Sequence, residues 1–90
     1  MDEDSAGGPH FVDLHVGARV RMRRKALGIS QQAFAAALGM SSPQVQKYES
    51  GANRLSASKL WLAAEALQVP VTYFFEGLPA APPSGAWGDG

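Results

Sequence analysis

The side chains able to do acid–base, nucleophilic or metal chemistry are few in this 90-residue chain, and their spacing does not suit that work. There is no cysteine, which excludes disulfides, thiolate zinc sites and a cysteine nucleophile. The two histidines, His10 and His15, lie five positions apart with no third ligand nearby, so no metal site is expected. Glu49 and Glu65 fall on different predicted helices with no evident cleft between them, and no nucleophile has a base partner. Gly7-Gly8-Pro9 lacks the following Lys-Ser/Thr that would open a phosphate-cradling helix. The chain is expected to be neither an enzyme nor a cofactor carrier.

Its distinguishing chemistry is cationic, and the total conceals it. Eight Lys and Arg balance eight Asp and Glu, a formal charge of zero that at first argues against a polyanion partner. The charges are not mixed, however. Residues 1–13 hold four acids and no Lys or Arg. Residues 14–67 hold all eight bases against only Glu49 and Glu65, a net of +6, and residues 68–90 hold two more acids. A concentrated field of one sign is what steers a polyanion. On this reading the acidic N-terminal residues moderate non-specific grip by competing for the basic face.

Those cations need a scaffold. Ninety residues imply one small domain, and 46% hydrophobic with 18% charged residues is the balance of a globular chain. The division expected is an acidic, flexible arm over 1–13, a folded unit over 14–77, and a Pro/Ala/Gly-rich disordered tail over 78–90. The acidic N-terminus lacks the basic-then-apolar order of a signal peptide, and no apolar run approaches the roughly 18 residues of a membrane span. A cytoplasmic protein without membrane contact is the expectation.

Within 14–77 the signals predict an all-α unit of five short helices. The first covers about Leu14–Ala26, with Val16, Val20 and Leu27 as a sparse apolar stripe, Gly17 as a slight weakness and Gly28 as the stop. Ser30 caps Gln31–Leu38, which Gly39 ends. Ser41 caps Ser42–Glu49, with Pro43 in the first turn, where its missing N–H costs nothing. Ser56 caps a fourth helix through about Leu67, apolar at Leu60, Ala63, Ala64 and Leu67, with Trp61 and Leu62 off that stripe. A short last helix is predicted over Val71–Glu76.

The most informative stretch is QQAFAAALGMSSPQVQKYES, Gln31 to Ser50. Two helices joined by about three residues need a small side chain where their backbones approach, and Ala35 supplies it. They need a turn residue that accepts positive φ, and Gly39 supplies that. Phe34 and Leu38 on one helix, Val45 and Tyr48 on the other, and Met40 beneath the turn are placed to fix the crossing angle. This is the physical recipe of a helix-turn-helix.

With L-G-I-S-Q before the second helix, Y-E-S-G after the third and A-L-x-V-P-V-x-x-F-F-E-G at the end, residues 14–77 resemble the lambda-repressor-like DNA-binding domain of Cro/repressor-type transcriptional regulators, the xenobiotic-response-element family. The resemblance implies a compact five-helix domain that binds double-stranded DNA, with Ser42–Glu49 in the major groove. It makes Ser42, Pro43, Gln44, Gln46 and Lys47 the residues facing bases. Gln44 is then suited to adenine N6/N7, and Lys47 to guanine or a phosphate. Gln31, Ser41, Asn53 and Arg54 match positions that hold the DNA backbone. Arg24 and Glu49 match a structural ion pair. Pro43 departs from the pattern, offering no hydrogen bond where the family often has a polar base reader. A homodimer on a palindromic operator is implied, since two dyad-related helices read half-sites about 34–36 Å apart. Leu62, Tyr73, Phe74 and Phe75 are the candidate dimer contacts. The alternative function is that of an antitoxin-like or adaptor module whose fold chiefly holds a protein partner.

Overall fold

The computed structural model describes residues 10–79. Its order is α1 (Phe11–Ala26), α2 (Gln31–Leu38), α3 (Ser42–Glu49), α4 (Ala57–Leu67) and a 3-10 helix, Val71–Phe75. Among the described residues the architecture is all-helical, with no strand. The expected arm and tail fall outside the described residues at 1–9 and 80–90.

Local chemistry sets each boundary. The Ser30, Ser41 and Ser56 hydroxyls accept from the backbone N–H groups of Ala33, Gln44 and Lys59, satisfying donors that each first turn leaves unpaired. Gly39, at φ 70°, turns the chain out of α2, and the Met40 N–H returns to the Ala35 carbonyl at 2.9 Å. Lys59 adds a closure with no trace in sequence spacing, its Nζ donating to the Leu38 carbonyl at 2.7 Å.

Three boundary expectations need correction. The first helix begins at Phe11 rather than Leu14, because His10 caps it: its Nδ1 accepts from the Val12 N–H at 3.1 Å, and its carbonyl accepts from the Leu14 N–H. Phe11–Asp13 therefore belong to the folded unit and not to the arm. The last element is a 3-10 helix ending at Phe75, in keeping with a five-residue run of β-branched and aromatic side chains too short for α-helical bonding.

The core draws Val16 and Val20 from α1, Phe34, Ala35 and Leu38 from α2, Val45 from α3, Ala63, Ala64 and Leu67 from α4, and Phe74 from the 3-10 helix. Every element thus anchors in one cluster, where each large side chain contributes about 1.5–3 kcal/mol. Gly17 proves to be a packing site. A β-carbon there would lie 2.7 Å from the Glu49 carbonyl oxygen and closer still to that of Tyr48. Its cost to α1 is the condition for α1 to cross the end of α3.

Candidate nucleic-acid interface

Helix α3 is held firmly along one side and open along the other. Val45 and Glu49, four positions apart, are buried, and Tyr48 is half-buried beside them. Pro43, Gln44, Gln46 and Lys47 are exposed, with Ser42 half-buried at the helix start.

The inward side is fixed by a polar chain through three helices. Arg24 of α1 donates from Nε to Glu49 Oε2 at 2.6 Å and from Nη2 to Oε1 at 3.0 Å. Both side chains are almost fully buried, 8% and 3% exposed. Arg24 Nη1 also donates to the Ile29 carbonyl at 2.8 Å, so the fork ties the α1–α2 connection to α3 as well. Gln31 of α2 donates its Nε2 to Glu49 Oε1 at 3.0 Å and accepts from Gln46 Nε2 at 3.2 Å. Gln31 is a junction, a role invisible in the sequence because its partners lie 15 and 18 residues away.

Gln44 is committed differently. Its Oε1 accepts from the Ser41 N–H at 2.8 Å and from the Ser41 hydroxyl at 3.2 Å, completing a reciprocal cap. Both carbonyl lone pairs are engaged, which leaves Nε2 as a donor. In this arrangement the bidentate adenine contact expected of Gln44 lacks its acceptor.

The basic residues divide into two groups. Arg19 Nε donates to the Tyr73 carbonyl, its Nη2 pairs with Glu76, and its guanidinium lies 3.9 Å from the Tyr73 ring centre. Arg23 donates to the Leu67 carbonyl at 2.9 Å. These two arginines brace α1 against α4 and the 3-10 helix, which leaves Arg21 and Lys25 as the exposed cations of that helix. Beyond α3, Asn53 and Arg54 are exposed in the following loop. The Asn53 N–H donates to the Lys47 carbonyl, and Arg54 pairs with Asp13 at 3.1 Å.

Of the expected dimer contacts, Phe74 faces inward. It is completely buried within its own domain and cannot reach a second copy. Leu62 and Tyr73 are half-buried against the core, and Phe75 is 39% exposed. Trp61 stands 62% exposed beside a shallow groove formed with Ala64, Val69, Pro70 and Val71.

The helix-turn-helix family profile matches residues 20–74, from the middle of α1 to the 3-10 helix. The chain belongs to the helix-turn-helix family. A transcriptional regulator in the ATPase CF(0) region of Rhodospirillum rubrum, itself uncharacterized, is 48% identical over 89 residues, covering 97% of this chain and 82% of that protein. An uncharacterized HTH-type transcriptional regulator of Sinorhizobium medicae is 48% identical over 71 residues, 79% of this chain. This helix-turn-helix chain spans about half of that relative, 51% of its length. Among solved structures, the P22 c2 repressor in complex with a synthetic operator is similar at TM-score 0.64 and 31% identity, over 69% of this chain and 94% of that one. The restriction-modification controller protein C.AhdI of Aeromonas hydrophila is similar at TM-score 0.69 and 27% identity, over 73% of this chain and all of that one. Among the described residues, no helix is long and apolar enough to cross a membrane.

Proposed function

We propose that this helix-turn-helix protein regulates transcription by binding double-stranded DNA sequence-specifically, with α3 in the major groove. The observation that carries this reading is the two-sided character of α3. Val45, Glu49 and the Arg24 fork hold it rigidly, while Pro43, Gln44, Gln46 and Lys47 stand outward. That is the arrangement a groove-reading helix needs. The relatives named as transcriptional regulators and the operator-bound P22 c2 repressor support the same reading.

In this account Pro43, Gln44 and Gln46 face bases, Lys47 reaches guanine or an adjacent phosphate, and Ser42 lies at the groove's edge. The Gln31 end of α2, Ser41, Asn53 and Arg54 approach phosphates, aided by the positive dipole ends of the two helix starts. The functional unit is a homodimer on a palindromic operator, acting in the cytoplasm as a repressor. Leu62, Tyr73 and Phe75 are its apolar contacts.

Electrostatics makes the reading testable. If Lys47 and Arg54 each reach a phosphate, a dimer neutralises four, and log K falls against log salt with a slope of about −3.6. Affinity for an operator duplex should then drop about a hundredfold between 50 and 200 mM salt. Fluorescence anisotropy on labelled duplexes measures this. Binding indifferent to salt, or no binding to any duplex, overturns the proposal.

A further inference from the structure

We propose that Asp13 is a built-in substitute for a DNA phosphate: it holds the Arg54 guanidinium until a duplex displaces it, and so lowers affinity for DNA. The inference rests on the DNA-binding reading above and adds an internal competitor to its phosphate contacts.

The contact is made by packing between elements far apart in sequence. Gly51 seats the loop after α3 on the first turn of α1, where a β-carbon would lie 2.7 Å from Leu14 Cδ2 and 2.9 Å from Leu14 Cα. The Asn53 N–H closes the same loop on the Lys47 carbonyl at 3.2 Å. Arg54 follows directly, and its Nε donates to Asp13 Oδ2 at 3.1 Å across 41 positions of sequence. Asp13 stands in the first turn of α1, where the helix dipole favours a carboxylate. The acid is thus fixed on a helix, and the base is carried by a loop.

Exposure shows which partner can leave. The arginines that brace α1 are set into the protein, with the Arg24 and Arg19 side chains 8% and 19% exposed. Arg54 is 56% exposed against 20% for Asp13, so here the base is the solvent-facing member. A hollow lined by His10, Val12, Asp13 and Arg54 gives the guanidinium room to turn. A carboxylate and a phosphodiester offer a guanidinium the same chemistry, two oxygens sharing one negative charge. An exposed pair of this kind shifts an equilibrium by only about 1.5- to 5-fold. That is enough to subtract from DNA affinity and little enough for a phosphate to replace it.

The test is a double-mutant cycle with the full 90-residue chain, Asp13→Asn, Arg54→Ala and the two combined. Affinity for a duplex selected by the wild type is read by fluorescence anisotropy at one fixed salt concentration. Asp13→Asn should bind about 1.5- to 5-fold more tightly per protomer. In the Arg54→Ala background the same change should bring no further tightening. Weaker binding by Asp13→Asn would make the acid a support for Arg54, and unchanged affinity would make the pair idle. An equal gain in both backgrounds would reduce Asp13 to a general repulsive charge. Each of these three results overturns the proposal. Should Asp13→Asn lose its helical signal, the wild type alone decides the question by NMR. Its Asp13 side-chain carboxyl resonance should move as duplex is added and the guanidinium departs, and an unmoved resonance is contrary. A wild type that binds duplex while Asp13→Asn gains nothing sinks this inference alone. No binding to any duplex sinks the DNA-binding reading and this one with it.

Discussion

Replacing Arg24 or Glu49 by methionine should destabilise the domain severely, while replacing both together should not. The pair is buried at 8% and 3% exposure and joined by two hydrogen bonds of 2.6 and 3.0 Å. Arg24→Met strands a buried carboxylate with only the Gln31 amide for compensation, and Glu49→Met strands a buried guanidinium held by the Ile29 carbonyl. Leaving one charge of such a pair unpaired costs about 3–5 kcal/mol, whereas an apolar pair of similar volume is often neutral or stabilising. A domain of about 70 residues has a total stability near 3.5–10 kcal/mol, so either single change removes much of it. At about 4–8 °C per kcal/mol, the midpoint should fall by roughly 12–40 °C. Thermal and urea unfolding followed by circular dichroism at 222 nm, run as a double-mutant cycle, should give a coupling of at least about 2 kcal/mol. Screening reaches a buried pair poorly, so added salt should not erase that coupling. Single variants within about 1 kcal/mol of wild type, or additive losses in the double variant, would refute the structural role assigned to this pair.

Gly17→Ala should lower stability by about 1–3 kcal/mol in the same unfolding assay despite the better helix propensity of alanine, because its methyl group meets the Tyr48 and Glu49 carbonyls. A stabilised variant would mean that α1 and α3 are not in close contact there. Lys47→Ala and Arg54→Ala should each reduce the magnitude of the salt slope by about one unit per protomer, since one phosphate is no longer neutralised. An unchanged slope removes that residue from the phosphate contacts. Phe75→Glu should shift sedimentation toward monomer and leave the helical signal intact, and unchanged association would exclude Phe75 from the dimer face.

Much of the fold was legible because its signals are local. Ser30, Ser41 and Ser56 ahead of apolar periodicity, Pro43 in a first turn and Gly39 after Leu38 each carry their structural consequence within one helical turn. The start of α1 was less legible because histidine is an uncommon cap, and its ring has to reach back to the Val12 N–H. Gly17 read as a weakness because the carbonyls it accommodates lie some thirty residues away. The basic residues show the same limit. Composition correctly located the cations in the helical middle. It could not tell Arg19 and Arg23, spent on backbone carbonyls of the last elements, from Arg21 and Lys25. The candidate interface divides along the same line. The outward row of α3 follows from helical geometry. The use of Gln44 in a cap, the bridging by Gln31 and the burial of Phe74 depend on where distant elements pack.

In the proposed function the outward face of α3 is the surface that meets DNA. Backbone amide shifts of the isotopically labelled protein, followed by NMR as a selected duplex is added, test it most directly. The largest changes are expected at residues 41–47, with smaller ones at Gln31 and across Asn53–Arg54, and little change around Trp61. Shifts concentrated on Trp61, Val69 and Val71, with residues 41–47 unmoved, would contradict it.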